Sequence, residues 1–344
     1  MKKNPFVSVV IPVKNLTYYL LHENLPRLAN QTYKNYEVIV LPNEHSQYDL
    51  SLLREYKKLR IVPTGKITRP AEKRDVGADC AKGEIIAFLD DDAYPDSLWL
   101  KNAVKLFKKR KIQAVCGPGV LPENTNIWEK IFDEVLKTWI GAGGYSYRFT
   151  RQSQRSVTDY PSMNFLILKK TFLKLGGFNS DYWPGEDSKL CNDLVEREDG
   201  VILYDPGIVV FHHRRNNLPG FLKQHANYGF HRGAFFAHGD KNSRKLGYVI
   251  PTGFLLYIFF LSFYLSISFY IQRSEITSNL IALAPLLVYG ILIIYLFIKS
   301  FINTQNILIS IGSMLVLFLT HIAYGSMFIK GFVKGLNKNS NLYD

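Results

Sequence analysis

Short β-branched runs alternate with stretches of helical periodicity over the first half of the chain. Val7-Ser8-Val9-Val10-Ile11 has the near-continuous apolar character of a buried strand and ends at Pro12, where Lys14-Asn15 opens a loop. From Leu16 to Ala29 the spacing of Leu20, Leu21, Leu25 and Leu28 predicts one apolar helix face. Glu37 to Leu41, Arg60 to Val62 and Glu84 to Leu89 predict three more strands. Between the last two lies a predicted helix over Ala71–Ala81, closed by Gly83 as a left-handed cap. Further on, Asn164–Leu168, Val201–Tyr204 and Ile208–Phe211 are strand candidates and Leu175–Phe178 a turn. A helix is expected from Glu186-Asp187 through Leu190, Leu194 and Val195. This alternation implies an α/β fold, a mostly parallel sheet with helices on both faces and its ligand crevice at the carboxyl ends of the strands.

Beyond Lys245 the pattern changes. Three uncharged runs, 247–271, 280–298 and 307–329, lack the polar stripe of a core helix in a soluble domain. As helices they reach about 37, 28 and 34 Å, against a hydrocarbon core of about 30 Å, so each is long enough to span. The expected organisation is a cytosolic domain over 1–216, an amphipathic juxtamembrane segment over 217–245, about three transmembrane helices within 246–330 and a tail over 331–344. In the juxtamembrane segment Phe221, Leu222, Tyr228, Phe235 and Phe236 alternate with Lys223, His231 and Arg232, which suits a helix in the headgroup layer or one packed on its own domain. Three crossings would put Lys330, Lys334 and Lys338 outside, against the positive-inside tendency, unless one run lies in the interface or enters and returns.

Charge and cysteine usage narrow the classes. Residues 246–344 hold five Lys/Arg and two Asp/Glu, which leaves 37 basic and 27 acidic side chains, net +10, before them. Such an excess suits nucleotide phosphates, acidic lipid headgroups or nucleic acid, and alone does not choose among them. Juxtamembrane basic segments favour lipid, so no nucleic-acid partner is expected. Cys80, Cys116 and Cys191 form no CxxC pair, which argues against a zinc site or a disulfide framework. The run Phe6–Val13, interrupted by Pro12, is too short for a signal-peptide core, so the first 245 residues are expected in the cytosol of a multi-pass protein of the cytoplasmic membrane.

The candidate chemistry sits at element ends. Asp90-Asp91-Asp92 stops the fourth strand, and Asp90 and Asp92, two apart, are placed to share a divalent cation; a solvated turn is the alternative. Asp96 is placed to cap the next helix. Glu186-Asp187 in a first helical turn suits either a dipole partner or a general base. His212-His213 ends a strand, as a metal ligand would or as a basic surface loop would.

In order and spacing these pieces resemble the family 2 glycosyltransferases of the GT-A fold. The resemblance rests on Val9 to Asn15, Lys73-Arg74-Asp75-Val76-Gly77, Gly83 to Asp92, Gly176-Gly177-Phe178, Gly185-Glu186-Asp187 and Val210 to Arg215. It implies that Pro12 and Asn15 line a nucleotide pocket, with Arg74 near the donor's phosphates or sugar. Asp90 and Asp92 match the DxD pair, Asp92 on Mg²⁺ or Mn²⁺ and Asp90 closer to the nucleoside, with Asp91 counted among the donor-binding residues. Asp187 matches the family's general base, with Glu186 beside it on the acceptor side. His212 matches the late metal ligand, with His213 its possible substitute and Arg215 a further candidate.

Two departures matter. Where the family often has an aspartate-rich turn for the nucleotide base, this chain has Leu41 to Ser46, leaving Asn43 or Glu44 for that role. The QxxRW of processive synthases is replaced by Gln224-His225-Ala226-Asn227-Tyr228, and about three spans make a poor polymer pore. The resemblance therefore implies inverting, metal-dependent transfer of one sugar from a nucleotide-diphospho-sugar to a lipid-linked or cell-surface glycan. Transfer to polyprenyl phosphate itself is the alternative, and a metal-dependent nucleotide phosphohydrolase a remoter one.

Overall fold

Strands β1 (Val7–Pro12) and β2 (Tyr36–Leu41) are buried at every position, as β-branched runs covered on both faces must be. The computed structural model describes residues 3–44, 56–108, 112–178, 185–271 and 276–336. They fall into two units, Met1–Pro122 with Tyr147–His213, and Glu123–Ser146 with Arg214–Asp344.

The first unit is built on an eight-stranded sheet of order β3-β2-β1-β4-β9-β6-β10-β8. Its other members are β3 (Leu59–Ile61), β4 (Ile85–Leu89), β6 (Ile112–Cys116), β8 (Arg155–Val157), β9 (Asn164–Leu168) and β10 (Val201–Tyr204). β1 to β4 are mutually parallel, but β9 runs antiparallel between β4 and β6. A second, three-stranded sheet, β5 (Ala93–Pro95), β11 (Val210–His212) and β7 (Gly119–Val120), leaves the end of β4. The helices are α1 (Leu25–Ala29), after a π-helical turn at Leu20–Asn24, α2 (Pro70–Cys80), α3 (Trp99–Phe107), α6 (Lys169–Lys174) and α7 (Glu186–Glu198).

Two local expectations are corrected. Gly83 is not a left-handed cap: α2 ends at Ala81 with φ −68°, and Gly83 has no positive φ. Its lack of a side chain serves packing instead, because a Cβ there would lie 2.6 Å from Ser8 N and 2.8 Å from Ile85 O. Asp96 does not cap α3, whose N-cap is Leu98; its Oδ1 accepts from Leu98 N at 2.9 Å, a turn ahead of the helix. At the amino ends of the strands, buried Glu37 accepts from Ser8 Oγ (2.8 Å), Lys82 N (2.8 Å) and Arg60 (3.0 Å), which satisfies a carboxylate that burial would otherwise penalise.

The second unit is helical: α4 (Ile127–Leu136), α5 (Trp139–Ala142), α8 (Leu218–Ala237), α9 (Leu246–Ile271), α10 (Ile276–Thr304) and α11 (Ile307–Leu336). Asn126 and Glu129 start α4 with a reciprocal capping box. Among the described residues, three helices, α9, α10 and α11, are long and apolar enough to cross a membrane. The expected amphipathic segment is α8, which packs through Gly229 and Gly233 against α11.

Replacing Gly83 by Ala is expected to destabilise the protein by about 1–3 kcal/mol, because backbone surrounds the added methyl and cannot yield. Gly253→Ala, inside α9 with nothing within 4 Å, is the control and does not lower the thermal midpoint. Equal midpoints for the two variants would contradict the packing role of Gly83.

Candidate functional site

The site forms where β4 ends and the small sheet begins. β11 pairs antiparallel with β5 in a register that sets His212 opposite Ala93, and His213 N donates to Asp92 O at 3.1 Å. Strand pairing thus carries an imidazole across 120 residues of sequence to the aspartate run. His212 Nε2 lies 3.2 Å from Asp92 Oδ1, and ligand atoms of Asp90, Asp92 and His212 all fall within 4.8 Å of one another. Two carboxylates and one imidazole, all partly exposed, form an O,O,N donor set that suits Mg²⁺ or Mn²⁺.

Asp91 points elsewhere. Thr17 Oγ1 donates to its Oδ2 at 2.8 Å, and the Asp91 pKa is pushed up to about 6 by burial and by the neighbouring Asp92 charge. The same Thr17 receives Leu20 N at 3.2 Å as the π-helical turn begins. Asn24, the last residue of that turn, donates to Asp90 O and Ala93 O, so the turn is tied to both ends of the aspartate run.

Three consecutive residues of α2 then do three different jobs. Lys73, 1% exposed, donates to Val13 O, Leu41 O and Asn43 Oδ1, joining the carboxyl ends of β1 and β2; burial lowers its pKa to about 8. Arg74 places one nitrogen 2.7 Å from Asp90 Oδ1 and the other 3.8 Å from Glu186 Oε1, with Phe178 beneath its guanidinium at 5.6 Å. Burial works against that cation, and Asp90, Asp187 and Glu186 more than offset it. Asp75 accepts from Phe178 N at 3.0 Å and closes the Gly176-Gly177 turn, where both glycines have φ near +80°.

Glu186 and Asp187 open α7, as their pattern predicts. Asp187 Oδ2 accepts from Ser162 N at 3.1 Å, while its buried Oδ1 has no hydrogen-bond partner among the described residues. Burial first and the Glu186 charge second push the Asp187 pKa up to about 7, and Arg74 pulls the other way. A carboxyl that titrates near neutrality, with one oxygen unengaged, has the properties of a general base.

The structure therefore gathers Asp90, Asp92, His212, Arg74, Glu186 and Asp187 into one cluster of the first unit. Pro12 ends β1, buried, and Asn15 is exposed on the loop that follows. Asn43 is oriented by Lys73, while Glu44 is exposed. His213 faces other partners: its Nε2 lies 3.0 Å from Glu23 Oε2 and its ring stacks on Tyr19 at 4.3 Å. Arg215 is exposed at the start of the second unit. Sequence reasoning missed the roles of Lys73, Asp75, Thr17, Glu23 and Ser162, because the bonds that tie them to the site join residues far apart in sequence.

Comparison with known proteins gives concordant findings. Residues 8–176 match the model of "Glycosyl transferase family 2". Over 96% of its length the chain is 26% identical to a "Dolichyl N-acetyl-alpha-D-glucosaminyl phosphate 3-beta-D-2,3-diacetamido-2,3-dideoxy-beta-D-glucuronosyltransferase" of Methanococcus voltae, covering 98% of that protein. A glycosyltransferase of Haloferax volcanii is 32% identical over 123 residues, 33% of this chain and 39% of the relative. Among solved structures, a mannosyltransferase from Pyrobaculum calidifontis, in complex with GDP-Man and Mn²⁺, superposes over 98% of this chain and 89% of its own with a TM-score of 0.62 at 18% identity.

A raised carboxyl pKa costs stability once the group must ionise. With its pKa moved from 3.8 to about 7, Asp187 favours the folded state below pH 3.8, and that contribution is lost as pH rises through 7. Asp187→Asn is therefore expected to melt higher than the native protein at pH 8, with the difference shrinking toward pH 4. A difference independent of pH, measured by thermal melts across that range, would contradict the burial of an ionisable Asp187.

Proposed function

The chain belongs to glycosyl transferase family 2 and has the GT-A fold, and from that premise we propose that it moves a single sugar, with inversion, from a nucleotide-diphospho-sugar to a lipid-linked glycan at the cytosolic face of the cytoplasmic membrane. One observation carries the reading: the Arg74 guanidinium spans Asp90 of the aspartate run and Glu186, the neighbour of Asp187. A donor-side cluster and an acceptor-side acid would thus flank one cation, an arrangement that suits a displacement at an anomeric carbon.

Asp90, Asp92 and His212 would hold a divalent cation, which when bound neutralises charge developing on a departing diphosphate. Asp187 takes the proton of the acceptor hydroxyl at its unengaged Oδ1, and Ser162 N holds the other oxygen in place. Glu186, beside it, keeps the Asp187 pKa high enough for the carboxylate to be basic at neutral pH. Lys73 fixes Asn43 where a nucleotide base would be read. Catalysis is assigned to the first unit, and membrane attachment to the apolar helices of the second.

The relative from Methanococcus voltae favours a particular acceptor. Its name specifies a sugar already carried on dolichyl phosphate, so a glycan-bearing lipid carrier is preferred here over polyprenyl phosphate itself.

Asp187→Asn is expected to reduce transfer by about 10²- to 10⁴-fold while nucleoside diphosphate affinity in the presence of Mn²⁺ stays unchanged. Radiolabelled donor assays on membranes, paired with calorimetric titration of the purified variant, check both halves. Normal turnover by the variant would remove Asp187 from the role of base.

A further inference from the structure

The three long apolar helices of the second unit are not equivalent. α9 and α10 expose large apolar side chains along their lengths, from Leu256 to Ile271 and from Leu280 to Ile302. α11 also buries a stripe of positions three to four apart from end to end, including Ile309, Ser313, Leu317, His321, Phe328 and Gly335, and exposes apolar side chains such as Leu308, Leu315 and Phe318 only on its other face.

α4, α5 and α8 cover much of that stripe, and α10 meets it at Tyr289, whose Oη lies 3.0 Å from His321 Nδ1. Along its first half lie α4 and α5: Ser313 Oγ donates to Ile131 O at 3.3 Å, a Cβ on Gly312 would meet Ile131 Cδ1 at 2.7 Å, and His321 Nε2 is 3.2 Å from Ile140 O. α8 covers the second half. A Cβ added at Gly229 or Gly233 would overlap the carbonyls of Tyr324 and Phe328, and one at Gly331 or Gly335 those of Phe230 and Ala234. Two small-xxx-small pairs are thus pressed together, backbone to backbone.

These covering helices are poor neighbours for hydrocarbon. On α4, fully buried Asp133 pairs with Arg214 at 2.8 Å and Lys137 at 2.6 Å, and Lys130 is exposed; on α8, Lys223 is exposed and Arg232 partly so. A helix accompanied end to end by such elements is not surrounded by lipid.

Past its middle, at Gly325, α11 also meets the start of α9. A Cβ on Gly325 would stand 2.9 Å from Pro251 O, one and a half turns into α9, and Lys334 lies over the Phe230 ring of α8 at 5.9 Å. About 30 Å of hydrocarbon separates the two faces of a bilayer, so an odd number of crossings is incompatible with these contacts. We infer that α9 and α10 cross the membrane out and back as a hairpin, while α11 does not cross and ends on the face from which α9 departs. Lys330 and Lys334 then share that face with Lys241, Arg244 and Lys245, where anionic headgroups are attracted, and the conflict with the positive-inside tendency disappears. This inference rests on the membrane attachment proposed above.

Site-directed labelling of the full chain in sealed cells tests it. In a Cys80→Ser background, where Cys116 and Cys191 are buried, single cysteines are placed at exposed Lys101, Tyr270 and Leu336 and probed with a membrane-impermeant maleimide. The expected result is that Tyr270→Cys reacts in sealed cells, whereas Lys101→Cys and Leu336→Cys react only after permeabilisation. Labelling of Leu336→Cys in sealed cells would restore three spans and overturn the inference. Protection of Tyr270→Cys together with Lys101→Cys would overturn the hairpin. Release of the protein by alkaline carbonate would instead sink the membrane attachment itself.

Discussion

One buried guanidinium is the constraint on which the site depends. Asp90 and the adjacent pair Glu186 and Asp187 come from elements far apart in sequence, and with no cation among them three neighbouring carboxylates would drive each other apart or protonate. Arg74 is 5% exposed, braced by Phe178 and ion-paired on two sides, so it sets the charge balance on which both ends of the cleft rely. Its neighbours on α2 fix the frame around it, Lys73 by joining the ends of β1 and β2, and Asp75 by closing the turn that delivers Phe178. Four residues of one helix, Lys73 to Asp75 with Gly77 packed on Val10, therefore connect the sheet to the chemistry.

The fold supplies the rest of the placement. β4 ends at Leu89 and the chain turns at once into β5, whose pairing with β11 returns His212 to Asp92. β9, antiparallel in the middle of the sheet, carries Asn164, which is fully buried and donates to Gly117 O and Ile208 O while accepting from Trp99 Nε1. That amide binds the large sheet to the segments that feed β7 and β11, so the position of His212 is secured well away from His212 itself.

Much of this was legible in the residues because it is local. The fully buried β-branched strands, the abrupt Asp90-Asp91-Asp92 stop and the acidic opening of α7 each follow from patterning over a few positions. What stayed hidden depends on partners distant in sequence. Nothing near Gly83 signals that Ser8 N and Phe6 O crowd it, and a glycine after a helix reads as a left-handed cap by default. His212 and His213 are adjacent and chemically identical, and they separate only when Glu23 and Tyr19 are seen to occupy the second. The third apolar run has the length and composition of a span, and its contacts with α4, α5 and α8 show only in the fold.

Arg74 electrostatically couples the aspartate run to the proposed base. The pH dependence of the transfer rate in native protein and in Arg74→Gln tests this coupling most directly. The native rate is expected to rise through an apparent pKa near 7, where Asp187 loses its proton. With Arg74 neutralised, the attraction that lowers that pKa is gone, so the limb should move to higher pH. A limb that stays where it is in Arg74→Gln would show that the two ends of the cleft are not coupled through this residue, and would contradict the account.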